Sequence, residues 1–317
     1  MTNPLLEKYL RQFNAIDFKQ IIDHPNILIA ARFWDERRYE AAKTCYRFMR
    51  MIDDLIDNHK AANKIISVTE QKKFNDEVEK WLKMIFNGST ENPAQRELTY
   101  TISKFHIPAW PLEAFARSMI FDIYHDGFKS MEEFLEYSAG ASVAPAAIFV
   151  HLAGLRDNND DYSEPAFDVK EAATSCAIFS YLVHIIRDFQ KDQLNNLNYF
   201  ADDLLFKNGL TKADLRNIAG GAEIKSGFRQ LMNHYFKAAD EYRLKTYNSI
   251  NSIWAYLEPR YQLSLEIIFE LYLMVFERIE IEKGSFTTSE LNPTPDESRQ
   301  RVYETIMKSR TISIATQ

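Results

Sequence analysis

Glycine is scarce in this chain, with 9 among 317 residues, whereas an average globular protein has roughly 7%. Tight turns, β-hairpins and phosphate-cradling loops all use glycine, so its scarcity favours long helices with few connections. The sequence has no G-x-G-x-x-G pattern and no Walker-type loop, which argues against nucleotide-binding folds. H-E-x-x-H, G-x-S-x-G and paired C-x-x-C motifs are also absent, so zinc and serine hydrolases lack support.

Cysteine is rare, and excess basic charge and long apolar runs are absent. The two cysteines, Cys45 and Cys176, lie in helical patterns, and we interpret them as reduced core residues of a cytoplasmic protein. The net charge of -7 and the absence of a block of Lys and Arg argue against a nucleic-acid partner. The first residues contain no apolar signal core. No window reaches 18 uncharged apolar residues, so we expect no transmembrane helix.

Apolar residues recur at helical spacing along almost the whole chain, including continuous patterns over about 27–58, 167–195 and 256–283. We find no convincing strand pattern, and the polar run 156–165 is interpreted as a loop. Thr211 with Asp214 predicts a helix start. No Ser- or Pro-rich linker divides the chain. We therefore expect one helical domain over residues 1–290 and a polar, less ordered tail over 291–317 that includes a last helix.

One helical stripe carries the first candidate site. On an α-helix, Tyr46, Arg50, Asp53 and Asp57 fall within an arc of about 60°. Two carboxylates one turn apart repel each other, so a cation is expected between them. Oxygen ligands favour Mg²⁺ or Mn²⁺, which keep waters and bridge to substrate phosphate. The guanidinium of Arg50 suits a bidentate contact with phosphate oxygens.

A second stripe repeats this arrangement. His184, Asp188 and Asp192 follow i, i+4, i+8 spacing, with Arg187 on the flank of the stripe. His184 is either part of the site or a core histidine with a satisfied partner.

Asp-x-x-x-Asp pairs also arise by chance, and this chain has four of them, at 53/57, 122/126, 157/161 and 188/192. The 157/161 pair lies in the polar run and is interpreted as solvated surface. The 53/57 and 188/192 pairs differ because their neighbours are apolar, and a carboxylate on a mostly buried helix needs a partner. We therefore interpret these two pairs as the halves of one metal–diphosphate site.

The two stripes resemble the motifs of the squalene/phytoene synthases, a family of head-to-head prenyltransferases. The family's first motif reads roughly Y-x-x-x-R-x-x-D-D-x-x-D. Its second reads roughly Q-L-T-N-I-L-R-D-x-x-x-D, followed by G-R-x-Y-L-P. The matching residues are Tyr46, Arg50, Asp53, Asp54 and Asp57 in the first, and Leu182, Ile185, Arg187, Asp188, Asp192 and Tyr199 in the second. The resemblance covers roughly residues 24 to 286.

The resemblance implies an all-α, single-domain isoprenoid-synthase-like bundle with a central cavity. It also implies a Mg²⁺-dependent enzyme of isoprenoid and carotenoid biosynthesis. That enzyme would ionise farnesyl or geranylgeranyl diphosphate and couple two molecules into a squalene-, dehydrosqualene- or phytoene-like product. Whether NADPH takes part, and the oligomeric state, are left open. Peripheral contact with a membrane is one route by which an apolar product could leave.

The same resemblance implies roles for individual residues. The metal ligands would be Asp53, Asp57, Asp188 and Asp192. Residues that act on or contact the substrate would be Tyr46, Arg50, Asp122, Arg187, Tyr199 and Tyr272. His184 is a further candidate for substrate contact, because it lies on the same stripe as Asp188. Tyr272 matches an aromatic residue that borders the family's cavity, although by itself such a tyrosine is more often part of a core.

The sequence departs from the family pattern around the second motif. The family's Gln and Asn are Tyr181 and His184 here, and imidazole is a poor Mg²⁺ ligand. The following Gly-Arg is Asn196-Leu197, and the family's early Ser-Phe is replaced near Asn26. Two alternatives therefore stay open: an enzyme that forms a prenyl alcohol or a cyclised terpene, or a non-catalytic assembly protein that keeps the fold. The small residues of 139–145 either open a helix towards a hydrocarbon tail or allow close helix packing.

Overall fold

The computed structural model describes residues 3–19, 26–62, 66–88, 90, 92–158 and 161–314. They form an all-α fold, as expected, with one small β-hairpin. The first nine helices are α1 Pro4–Asn14, α2 Asn26–Ala31, α3 Glu36–Ala62, α4 Val68–Asn87, α5 Pro93–Lys104, α6 Ala109–Tyr124, α7 Met131–Ser138, α8 Ala144–Gly154 and α9 Val169–Arg187. The others are α10 Phe189–Leu194, α11 Asp202–Lys207, α12 Lys212–Ala219, α13 Ser226–Ile253, α14 Pro259–Phe276, α15 Thr288–Leu291, α16 Pro295–Lys308 and α17 Arg310–Ile314.

Side-chain caps explain where several helices begin. Thr211 caps α12 and forms the reciprocal capping box with Asp214, which confirms the helix start predicted there. Ser67 with Glu70 does the same for α4. In each box the first side chain accepts a hydrogen bond from a backbone N–H that the helix leaves unpaired, and the second bonds back to the cap residue.

Two patterns that look continuous in the sequence are interrupted in the structure. The expected helix over 27–58 is split into α2 and α3 because the side chain of Asp35 accepts a hydrogen bond from the Arg38 N–H at 3.1 Å and starts a new helix. The expected helix over 167–195 is split at Asp188, where φ is -93° and ψ is 5°.

The run 156–165, expected to be a loop, contains a short antiparallel hairpin of β1 Arg156–Asn158 and β2 Asp161–Ser163. Three-residue strands are too short to show the alternation by which strands are recognised in a sequence. Both aspartates of the 157/161 pair are largely exposed, at 71% and 63% of the side chain.

The cavity walls are built by helices that are distant in the sequence. Helices α9 and α13 pack along each other, α8 packs on α3, α6 and α9, and α14 packs on α2 and α16. The wholly buried Arg38 joins three segments: its guanidinium donates to the Leu155 carbonyl oxygen at 2.9 Å and also bonds the hydroxyl of Tyr261. These contacts hold α3 in place against α14 and the hairpin.

The segment after residue 290 packs on the same core. Helix α16 lies against α14 and α1, and its Val302 and Ile306 are buried. Phe286 and Leu291, just before it, are also buried. The division of the chain at residue 290 stays a prediction, but these residues form an ordered helical wall rather than a loose tail.

Two helical stretches, Met131–Gly154 and Val169–Arg187, are long and apolar enough to cross a bilayer by length and composition. Within the fold, 72% and 50% of their apolar windows are buried in the protein. Both stretches contribute to the cavity walls, which accounts for their apolar character.

Candidate active site

A cavity of about 840 Å³ lies between α3, α6, α8, α9, α13 and α14. Its lining changes in character along two of these helices. On α3 the lining residues run from Ala42 and Cys45 through Asp57 to Ala61, and on α9 and α10 they run from Ala172 to Asp192. The cavity therefore has an apolar part and a part where the carboxylates collect.

The first motif lies on α3, and its predicted site residues, Tyr46, Arg50, Asp53 and Asp57, all line the cavity. The guanidinium of Arg50 donates to Oδ2 of Asp53 at 3.0 Å and also pairs with Asp54. The single helical stripe predicted from the sequence is thus directed into the cavity.

Burial makes the carboxylates of α3 costly to ionise. It raises the pKa of Asp53 to about 6, against the opposing effect of Arg50 and with support from Asp122. Burial also raises the pKa of Asp57 well above its usual range, and the charges of Asp53 and Asp122 add to this effect. A cation bound here would relieve the repulsion between these groups.

Asp188 has a different environment, because its own neighbours neutralise it. Arg187 donates from Nε to Oδ1 at 2.7 Å and from Nη2 to Oδ2 at 2.8 Å, while Nε2 of His184 lies 2.7 Å from Oδ2. Burial by itself would raise the pKa of Asp188, but His184 and Arg187 outweigh it and hold the pKa well below its usual range. His184 also lines the cavity, so it belongs to the site rather than to the core.

Asp192, on α10, makes no ion pair within the described residues. Burial raises its pKa well above the usual range, and the charges of Asp188 and Asp57 raise it further. Because the charge of Asp57 acts on Asp192, the two carboxylates, one from each motif, lie close enough to interact. Residues of both motifs line this cavity.

The carboxylate end fits a divalent cation in the type and charge of its donors. Among the described residues, no three His, Cys, Asp or Glu side chains converge closely enough to hold an ion by themselves. Mg²⁺ usually binds through one or two carboxylates and completes its shell with water and substrate phosphate. Interacting carboxylates with raised pKa values therefore suit an ion that binds together with an anionic ligand.

Three tyrosines complete the wall near the carboxylates. Tyr272, on α14, is half-buried, and its pKa is raised by burial against the effects of Arg187 and a hydrogen bond with Asn26. Tyr199 and Tyr181 line the same wall, with ring centroids 6.3 Å apart and nearly perpendicular planes. Tyr199 and Tyr272, both predicted from the sequence, thus reach the cavity.

Asp122 was predicted to contact substrate, but it does not line the cavity. It is buried behind Tyr137, whose hydroxyl donates to it at 2.5 Å, and next to His125 at 3.0 Å. Its charge still reaches Asp53 and Asp57 and raises their pKa values. Helix α6 therefore contributes to the site electrostatically, through the charge of Asp122.

Several residues that line the cavity are not marked by any motif in the sequence. Tyr137 lies in the cavity wall. Lys191, inside the second motif, and Asn195, three residues after its last aspartate, line the cavity as well. Thr288 lines it too, as does Asn292 from the segment expected to be a tail. Lys191 could have been found by its place between Asp188 and Asp192, whereas no local pattern marks Thr288 or Asn292.

The small-residue segment 139–145 forms a π-helical turn, Ala139–Val143, followed by Pro145 in the first turn of α8. A Cβ at Gly140 would overlap the Ser118 hydroxyl and the Ala114 carbonyl oxygen, so the segment permits close packing on α6. Ala141 and Ser142 also face the cavity. The structure thus confirms close packing, while contact of this segment with a hydrocarbon tail stays a prediction.

Comparison with known proteins decides the family. Residues 24–301 match the sequence family described as squalene/phytoene synthase. The protein belongs to the squalene/phytoene synthase family. Among curated relatives, phytoene synthase 2, chloroplastic, from Oryza sativa subsp. japonica is 26% identical over 180 residues, which are 57% of this chain and 43% of the relative. The matched stretch thus spans less than half of that relative's length.

Solved structures of squalene/phytoene synthase relatives share the fold. The squalene synthase HpnC from Alicyclobacillus acidocaldarius superimposes with a TM-score of 0.64 at 16% identity, over 92% of this chain and 100% of that one. A dehydrosqualene synthase in complex with ligand gives a TM-score of 0.68 at 14% identity, over 95% and 97% of the two chains. The predicted helical isoprenoid-synthase fold is therefore confirmed.

One departure from the family motif has a simple backbone explanation. Asn196, which stands in place of the motif's Gly, has a φ of 59°. Asparagine is the residue that best tolerates this left-handed conformation after glycine. The change to Asn thus preserves the turn that follows the second motif.

Proposed function

We propose that this protein is a Mg²⁺-dependent enzyme that ionises prenyl diphosphates, farnesyl or geranylgeranyl diphosphate, and couples two of them head to head. The observation that carries the proposal is the meeting of both aspartate motifs at one end of a cavity whose other lining is largely apolar. A diphosphate fits the charged end, and a long hydrocarbon chain fits the rest. Membership in the squalene/phytoene synthase family supports the same reaction class.

Side chains of this protein would stabilise the departing diphosphate. Bound Mg²⁺ supplies positive charge to that leaving group. Arg50 and Arg187, which line the carboxylate end, add fixed guanidinium donors, which bind phosphate oxygens well. Tyr46 stands beside them, one turn before Arg50, as a further hydroxyl donor.

The remaining walls would protect the allylic cation. Phe115, Met119 and Phe149 line the cavity, and such a surface excludes water that would otherwise quench the cation. Aromatic ring faces also attract positive charge. Tyr137, Tyr181 and Tyr199 offer rings near the carboxylate end, where the cation would form.

A specific observation favours a second candidate, a prenyl alcohol or cyclised terpene as product. The side chain of His184 is 43% exposed at the carboxylate end, so water reaches the place where the diphosphate would leave. Incubation with each prenyl diphosphate and Mg²⁺, with and without NADPH, followed by gas chromatography, separates these outcomes. A C30 or C40 hydrocarbon supports coupling, and an alcohol or cyclic terpene supports the second candidate.

The carboxylate end itself is tested by Asp57→Ala, which we expect to abolish Mg²⁺-dependent diphosphate release. The matched control is Asp76→Ala, because Asp76 is an exposed aspartate on α4 away from the cavity. Full turnover by Asp57→Ala would refute the proposed site. No product from any prenyl diphosphate, with wild-type protein that binds neither metal nor diphosphate, would favour the assembly-protein alternative.

A further inference from the structure

The four motif aspartates are not equivalent. Within the described residues, Asp57 and Asp192 make no ion pair, and Asp53 has a partner for one oxygen, Oδ2, from Arg50 at 3.0 Å. Asp188 has partners for both oxygens, from Arg187 and His184, at 2.7 to 2.8 Å. The second motif therefore contains one open carboxylate and one that is already neutralised.

The bonds to Asp188 are well supported by their surroundings. The side chain of Asp188 is 8% exposed and that of Arg187 is 19% exposed, so neither can easily turn away. The short bidentate bond between them is of the strongest kind in proteins. Mg²⁺ requires oxygen ligands at about 2.0–2.1 Å in near-octahedral geometry. To bind Asp188 directly, such an ion would have to displace at least one of these charged hydrogen bonds.

His184 makes the difference between this chain and the family motif, which has Asn at this position. Its Nε2 lies 2.7 Å from Oδ2 of Asp188. Arg187 donates a hydrogen bond to the same oxygen. An imidazole ring is also a poor ligand for Mg²⁺. The change from Asn to His184 thus removes one potential metal ligand. The same side chain also pairs with the carboxylate of Asp188.

We propose that His184 and Arg187 together replace one divalent ion of the second motif. Asp53, Asp57 and Asp192 then offer carboxylate oxygens to ions that bind together with the diphosphate, while Asp188 anchors the two basic side chains. This inference rests on the proposed function, since it concerns the same diphosphate site. Asp188 then acts as a positioning residue for His184 and Arg187, which border the bound diphosphate.

The test counts ions and does not depend on turnover. Wild-type protein is titrated with Mn²⁺ in the presence of inorganic diphosphate, and bound ions per chain are counted by electron paramagnetic resonance and by mass spectrometry of the native complex. We expect His184→Asn to bind one ion more than the wild type. The control His234→Asn, on α13 and outside the cavity lining, should match the wild type.

Ion affinities provide a second measurement. Loss of an outer partner typically weakens metal binding about 10–100-fold. We expect Asp188→Asn to weaken Mn²⁺ binding within that range. Asp57→Asn and Asp192→Asn should each weaken Mn²⁺ binding by more than about 100-fold. Equal ion counts for wild type and His184→Asn, in protein that still turns over prenyl diphosphate, would overturn this inference alone. No bound Mn²⁺ in any variant would overturn the proposed function along with it.

Discussion

The hydroxyl of Tyr137 donates a hydrogen bond of 2.5 Å to Oδ2 of Asp122, and Nε2 of His125 lies 3.0 Å from the other oxygen. Asp122 is thus a buried carboxylate held by two side chains, one on α7 and one directly after α6. Tyr137 also lines the cavity. The hydrogen bond between Tyr137 and Asp122 therefore connects the cavity wall to a carboxylate that does not line the cavity.

Removal of this hydroxyl is expected to destabilise the protein. In Tyr137→Phe, the buried carboxylate of Asp122 loses a hydrogen bond of a kind worth about 1.5–3 kcal/mol. The free energy of unfolding, measured in urea, should fall by a similar amount. Tyr100→Phe, at a tyrosine that is 67% exposed, serves as the control and should change little.

The double variant Tyr137→Phe with Asp122→Asn makes this test specific. If the two side chains interact directly, the double variant should lose less stability than the sum of the two single losses. Strictly additive losses would contradict the hydrogen bond as the source of the effect.

Neutralising an open carboxylate should stabilise the metal-free protein at neutral pH. Asp57 has a raised pKa in the folded state, so the folded protein binds this proton more tightly than the unfolded chain does. Its contribution to stability is therefore favourable at low pH and is lost as the pH rises above the ordinary value of 3.8 and through the raised value. The same sign applies to Asp53, whose pKa is raised to about 6.

The measurement is the Tm of Asp57→Asn against wild type, without divalent ions, at pH 5 and pH 7.5. We expect a higher Tm for the variant at pH 7.5, by about 2–4 °C for each kcal/mol relieved, and a smaller difference at pH 5. Mg²⁺ with inorganic diphosphate should raise the Tm of the wild type more than the Tm of the variant. A variant less stable than wild type at pH 7.5 without ions would refute the interpretation.

Close packing at the π-helical turn makes Gly140 sensitive to substitution. A Cβ there would meet the backbone carbonyl oxygen of Ala114, which cannot move without shifting α6. Gly140→Ala should therefore cost about 1–3 kcal/mol, the range typical of overpacked cores. Gly220→Ala is the matched control, because its Cβ would lie at an ordinary 3.4 Å from neighbouring carbonyl oxygens. Equal urea midpoints for the two variants would contradict the packing argument.

The left-handed backbone at Asn196 predicts an unusual order of stability. Asn196→Gly should keep the Tm of the wild type or raise it slightly, since glycine adopts this conformation without strain. Asn196→Ala should lose about 1 kcal/mol, because a Cβ disfavours a positive φ. The two variants are compared by calorimetry under identical conditions, and an alanine variant as stable as the glycine variant would show that the turn is not strained.

Part of the site followed from the sequence because it depends on local geometry. Tyr46, Arg50, Asp53 and Asp57 share one face of a helix whatever surrounds it, and the structure directs that face into the cavity. The helical fold followed for the same reason, since apolar periodicity is a property of each segment alone. The breaks at Asp35 and Asp188 did not follow, because a local cap or a changed dihedral angle leaves that periodicity almost unchanged.

The sequence by itself therefore determined the helices, the two acidic stripes and their resemblance to one family. Only the tertiary structure decided which carboxylates are open. Asp57 and Asp192 interact electrostatically and make no ion pair among the described residues, Asp188 is neutralised by His184 and Arg187, and Asp122 is buried behind Tyr137. The physical reason is that the charge state of a carboxylate depends on burial and on neighbours brought together from distant segments, and spacing along the chain does not record either.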